Sequence, residues 1–197
     1  MTKNMIITIS VTLLVAFSGY LAKYLNDLRI AQRKDRLERV NQQLRDLYGP
    51  LFSLIKAATI TWEGFREKYC SRDDFQVDGH VVGGGEGSWR GIMPQSEETK
   101  RIWRHWMQNV FMPLNSEMAQ LIIDHSDLLE EEEMPECLLK LSAHVHGYKG
   151  ILAAWEKEDY SEHMSLTSFP IMEILPYVES SYRKLKARQA RLLGKPE

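Results

Sequence analysis

Six histidines (His80, His105, His125, His144, His146 and His163) and two cysteines (Cys70 and Cys137) carry the chain's capacity for metal or nucleophilic chemistry. Di-metal centres in helical bundles use Glu-x-x-His pairs on facing helices. No Glu-x-x-His occurs here, and His-Glu-x-x-His is absent too. His144 and His146 stand two apart, which puts them on opposite sides of a helix. Asp159 and His163 have i,i+4 spacing but fall in a polar linker. The acidic run 130–133 lacks the alternating oxygen ligands and central glycine of a calcium loop. Cys137 lies beside Leu138 and Leu139, where a buried, inert thiol is expected. Nothing brings either cysteine to a histidine, and no nucleophile-elbow sequence is present. No catalytic residue, metal ligand or cofactor is therefore assigned. The residues point to binding more than to catalysis.

A glycine-rich stretch is the other candidate. Residues 71–95 hold six glycines (79, 83, 84, 85, 87 and 91). Without a Gly-Lys-Ser/Thr this is no phosphate loop, and it lacks the βαβ setting of a dinucleotide fingerprint. Trp89 and Arg90 within it are the residue types that dominate interaction hot spots. Long loops of this kind are commonly functional or disordered. Trp62, Trp103, Trp106 and Trp155 fall on apolar helix faces, where core packing is expected.

The elements that must position these residues read as helices. Residues 26–48 are free of glycine until Gly49-Pro50, with Leu37, Val40, Leu44, Leu47, Leu51 and Leu54 spaced 3, 4, 3, 4, 3. The seam is short for a coiled coil and fits an amphipathic helix packed on its own domain. Pro50 predicts a kink, or a restart with proline in the first turn. Further helices are predicted over 50–69, from near Ser96 to Met112-Pro113, over 114–131 and 136–155, and from 168–170 to about 193. A polar linker covers 156–165. No segment alternates with period two over strand length, except 75–82. The fold class is all-α: an N-terminal transmembrane helix continuing into a cytoplasmic helical bundle of about five helices, with one long Gly-rich loop. The divisions are 1–25 for the anchor, 26–48 for a basic amphipathic stalk, and 49–197 for the bundle including loop 71–95.

The anchor rests on residues 5–22, eighteen in a row without a charge. A bilayer-spanning helix needs about 20 mostly apolar residues, and Lys23 can snorkel. The stretch is long for a signal peptide, and 18–22 is a poor cleavage site. Residues 23–48 hold seven Lys/Arg against Lys3 alone ahead of the segment. The positive-inside rule then puts the C-terminal body in the cytoplasm. Two lone cysteines fit a reducing compartment.

Charge is uneven along a chain of 197 residues with formal net charge -2, a balance that excludes a generally basic nucleic-acid binder. Residues 117–136 contain eight acids and no Lys/Arg, while 183–197 contain six Lys/Arg and one acid. Arg183, Lys184, Lys186 and Arg188 are candidates for contact with anionic lipid or a protein partner.

The string Leu47-Tyr-Gly-Pro-Leu51 after an anchor and a basic helix resembles a group of uncharacterised bacterial single-pass membrane-anchored proteins. Trp103-Arg-His-Trp-Met-Gln-Asn-Val-Phe-Met-Pro-Leu-Asn115 and Phe169-Pro170 are similar in the same sense. The resemblance implies a bacterial inner-membrane setting and transfers no functional residue. The leading expectation is an adaptor, scaffold or regulatory subunit acting through protein contacts or self-association. The alternative is a small-molecule sensor or enzyme with a site under loop 71–95.

Overall fold

The computed structural model describes residues 3–69, 75–77 and 92–194, with side chains for 11–69 and 94–194. Helices account for nearly all of it, joined by one small ribbon. In order they are α1 (Lys3–Gln42), α2 (Gly49–Tyr69), α3 (Glu97–Trp106), α4 (Met112–Asp124), α5 (Glu136–Trp155) and α6 (Ile171–Leu193). Strands β1 (Phe75–Val77) and β2 (Ile92–Pro94) pair antiparallel, Gln76 opposite Met93. The chain divides into two compact units, residues 1–41 with 187–197, and residues 42–186.

In the first unit, α1 exposes a broad apolar surface. Leu13, Leu14, Val15, Phe17 and Tyr20 are each 63–68% exposed. Among the described residues no helix is long and apolar enough to cross a membrane. The predicted segment 5–22 lies partly outside the residues whose side chains are described. The end of α6 is held by Arg33, whose Nε donates to the Leu192 carbonyl (2.7 Å), and by Gln189 donating to Asn41 Oδ1 (2.8 Å). Gly194, with φ 73°, supplies the left-handed residue that closes the helix.

The second unit is a helical bundle. Leu47, Leu51, Ile55, Ala58 and Phe65 form the inner face of the chain around α2, continuing the apolar seam read from the sequence. Pro50 does open α2 in its first turn. What precedes it is a π-helical turn, Gln43–Tyr48, not a break. A Cβ on Gly49 would collide with the Leu44 carbonyl oxygen, so the wide turn requires glycine there.

A second π-helical turn, Met107–Phe111, joins α3 to α4. The sequence reading ended a helix at Met112-Pro113. The chain instead stays helical, because Pro113 sits at the start of α4, where an amide hydrogen has no intrahelical partner to lose. The helix predicted to reach 131 stops at Asp124 and passes through the 3-10 turn Ser126–Leu128. The acidic run 130–133 is therefore not at a helix end. Pro176 lies inside α6 and leaves the Met172 carbonyl without its helical partner, at an exposed residue.

The core is aromatic at one end. Phe65 is 1% exposed and stacks on Trp62 at 5.6 Å. It meets Trp103, Trp106 and Phe111 edge-on at 5.5–6.1 Å. Such pairs contribute about 0.5–1.5 kcal/mol each beyond area burial.

Gly49→Ala forces its methyl against backbone that cannot swing aside. We expect a loss of about 1–3 kcal/mol, read as a lower urea midpoint for unfolding of the purified protein.

Candidate functional site

Within the second unit a cavity of about 160 Å³ opens among α2, α3, the π turn Met107–Phe111, α4, α5 and the segment leading into α6. Trp62, Trp103, Met107, Phe111, Tyr148 and Phe169 give most of its wall. The π turn brings Met107 and Phe111, four residues apart, to the same side, and both are buried. Among the described residues, no Lys, Arg, Asp or Glu lines it.

One wall comes from Met164, Ser165, Thr167, Ser168 and Phe169, which begin at the end of the predicted polar linker 156–165 and run on toward α6. That region is a strap held by ring donors. The Trp155 indole donates to the Glu162 carbonyl at 2.8 Å. The Tyr148 hydroxyl donates to the His163 carbonyl at 2.6 Å, and Trp103 Nε1 shares its hydrogen between that carbonyl and the Tyr148 oxygen, both at 3.2 Å. Burial pushes the Tyr148 phenol well above its ordinary range, so it stays a donor. Arg104 donates to His163 Nε2 at 3.0 Å and lies 4.1 Å from the Tyr160 ring centre. Burial and the nearby Arg104 and Lys100 charges hold His163 below its usual pKa.

His144 joins strap and cavity. Its ring is buried, 6% exposed, and flanked by Tyr148 and Phe169. The Thr167 carbonyl stands 2.6 Å from Nδ1. A carbonyl only accepts, so Nδ1 carries the hydrogen and Nε2 presents a lone pair. That Nε2 is shielded from solvent and has no hydrogen-bond partner among the described residues. Burial lowers the His144 pKa, which keeps the ring neutral. Two hydroxyls of the wall have local acceptors: Thr59 donates to the Ile55 carbonyl at 2.8 Å, and Ser165 to the His144 carbonyl at 3.4 Å.

The residues singled out from the sequence lie elsewhere. Trp89, Arg90, Cys70 and His80 are outside the described residues, as is nearly all of loop 71–95. Arg183 pairs with Glu179 (2.6 Å) and Lys184 with Glu130 (3.3 Å), within the second unit. Lys186 and Arg188 are exposed on α6. Cys137 is buried, and burial pushes its thiol pKa up, away from reactivity. His144 is buried while His146 is exposed, with Nδ1 donating to the Ser142 carbonyl. Among the described residues no group of three or more His, Cys, Asp or Glu is placed to hold a metal ion. The tryptophan reading needs one addition: Trp62 and Trp103 pack the core and also wall the cavity. A signal for His144 was present in its place one turn before Tyr148 on the inner face of α5. Its partner, a carbonyl in an irregular segment, leaves no residue pattern.

No protein-family model, curated protein or solved structure matches the chain.

His144 is neutral when folded and titrates near its ordinary 6.5 when unfolded. Above that pH both states are unprotonated and its contribution is flat. Below it the unfolded state takes up a proton that the native state refuses, so stability falls with pH until the depressed folded pKa is reached. His163 contributes with the same sign. Unfolding midpoints of the wild type should drop between pH 7 and 5, and His144→Gln should flatten part of that slope.

Proposed function

We propose that this chain is a bilayer-held regulatory module that senses a small molecule in the α2–α5 cavity and passes the signal on through protein contacts. The supporting observation is the cavity itself: a space of about 160 Å³ with aromatic walls and, among the described residues, no Lys, Arg, Asp or Glu in its lining. Close-packed domains keep few voids larger than a water molecule. Concave apolar sites with a few placed polar groups are the usual form of a ligand site. The arrangement fits binding better than turnover, since no nucleophile–base pair faces the space.

Attachment to the membrane is the second part of the proposal. Its support is the uncharged stretch 5–22 and the apolar residues exposed around α1 from Val11 to Ile30. So large an apolar surface on one helix fits lipid on all sides. The charge bias of residues 23–48 orients the bundle toward the cytoplasm in a single pass, and the resemblance to anchored bacterial proteins agrees with an inner membrane. The exposed bases of α6, Arg188 among them, are suited to anionic lipid near the inner leaflet. A protein partner or a second copy would receive the signal, which retains the adaptor reading for the output.

Alkaline carbonate treatment of cell membranes should leave the full-length chain in the pellet; release into the supernatant would remove the anchor. In lipid nanodiscs, saturating toluene should raise the unfolding midpoint of the wild type, with empty discs as reference. Ala58→Leu, which fills the cavity from α2, should abolish the rise. A midpoint unmoved by toluene in the wild type would remove the sensor reading.

A further inference from the structure

We propose that the strap between α5 and α6 is an acid-released lid: it closes over two neutral histidines, His144 and His163, and proton uptake by them drives it open. The inference does not depend on what the cavity holds.

At the outer edge, closure requires an uncharged ring by geometry. Arg104 Nη1 stands 3.0 Å from His163 Nε2. A guanidinium only donates, so Nε2 has to be the bare acceptor. A proton there removes the acceptor and sets two cations at hydrogen-bond distance. Arg104 has a second hold on the strap, since its guanidinium lies 4.1 Å from the centre of the Tyr160 ring. Swinging away from a charged His163 therefore gives up both contacts. The charges facing His163 are mixed. Lys100 and Arg104 of α3 oppose a proton, while Glu97 of α3 and Glu162 of the strap favour one. Trp155 of α5 adds an uncharged ring at 5.8 Å. Burial and the two cations prevail, which agrees with a ring held below its ordinary value.

At the inner edge the constraint is burial under the strap itself. His144 is covered by the Thr167 carbonyl at Nδ1 and by the Phe169 ring edge-on at 5.7 Å, and the Ser165 hydroxyl sits on its backbone carbonyl. The titratable group beside it is Tyr148, one turn on along α5, whose phenol stays protonated. Among the described residues lining the cavity, no carboxylate is present to pair with an imidazolium. Lifting the strap removes these covers and lets water reach the ring.

Opening thus returns both histidines toward their ordinary 6.5. Above that pH neither position of the strap takes up a proton, and the balance between them is flat. Below it the open form binds protons that the closed form refuses, so opening grows easier as pH falls toward the depressed values. The other holds, Tyr148 and Trp103 on the His163 carbonyl and Trp155 on the Glu162 carbonyl, involve no group that titrates in this range. The strap has no ladder of its own, so it can leave while the helices stay folded. Met164, Ser165, Thr167, Ser168 and Phe169 wall the cavity, and their departure opens it on that side.

The test is limited proteolysis of the full-length chain in lipid nanodiscs at pH 7.5 and 5.5, well below the unfolding midpoint at either pH. Thermolysin cuts ahead of residues such as Leu166 and Phe169, and a free peptide of residues 156–170 corrects for the pH dependence of the protease. When reclosing outpaces cleavage, the corrected rate follows the open population. It should rise about fivefold or more at pH 5.5, with the cuts confined to the strap. His163→Gln keeps an acceptor for Arg104 and cannot be charged. It should match the wild type at pH 7.5 and show a smaller acid rise. Arg104→Met should raise cleavage already at pH 7.5. The wild-type comparison stands by itself if a variant does not fold. A corrected strap rate that ignores pH in the wild type would overturn the proposal. So would an acid rise matched by cuts within α2 and α5, which is global unfolding, or one undiminished in His163→Gln.

Discussion

Everything around the cavity depends on one exchange of hydrogen bonds. The strap between α5 and α6 has no ladder of its own for its carbonyls, and four buried rings of the bundle have N–H or O–H groups with no water to receive them. Trp103, Tyr148 and His144 give their hydrogens to the His163 and Thr167 carbonyls, and Trp155 gives its own to Glu162. Each side removes a cost from the other, since a buried polar group left alone costs about 1–3 kcal/mol. The strap is thereby fixed by side chains in place of secondary structure. It can approach α5 so closely that a Cβ on Gly147 would press on the Ser165 hydroxyl. Loss of the Trp155 or His144 donor would leave the Glu162 or Thr167 carbonyl without that partner, whereas the His163 carbonyl has two.

The wide helical turns serve the same region and the opposite face. A π turn takes one more residue than an α turn, so the side chains after it are rotated relative to those before it. At Met107–Phe111 this aligns two large apolar groups on the cavity while Trp103 and Trp106 stay on Phe65. At Gln43–Tyr48 it buries Gln43, Leu47 and Tyr48 together, and Gln43 Nε2 reaches the Leu128 carbonyl at 2.9 Å. That bond ties the first turn of the unit to the 3-10 turn after α4.

How much was legible follows from what each feature needs. Helix α5 was readable end to end, because Leu138, Leu141, Val145, Tyr148 and Trp155 repeat at helical spacing and all are buried. The proline at the head of α2 was readable for the same local reason. The continuity through Met112-Pro113 was not, since a proline in the first turn of a helix and a proline after one look alike in sequence. In α6, Ile171, Val178 and Leu185 recur every seven residues in the sequence and are buried, while Ile174, fully buried, falls between them. The cavity was invisible: its walls come from residues 58 to 171, and its polar group is defined by a backbone carbonyl. Charge was misleading for a related reason. The acids of 117–136 have no base within their own stretch, yet Glu130 is paired to Lys184 and Glu131 accepts from Tyr177.

That last contact belongs to a relay with a fixed direction. The Glu130 amide donates to Tyr48, Tyr48 to Tyr177, and Tyr177 to the Glu131 carboxylate, at 3.2, 3.2 and 2.9 Å. Its members come from the start, the middle and the final helix of the second unit. Contacts so distant in sequence close late, after the entropy of long loops has been met. A ribosome delivers residue 48 well before residue 177, so the Tyr48 hydroxyl gives its hydrogen to water until α6 arrives. The relay thus closes only when α6 docks, and a chain lacking α6 would keep the Glu130 amide on Tyr48 but lose the protein acceptor for the tyrosine's own hydrogen.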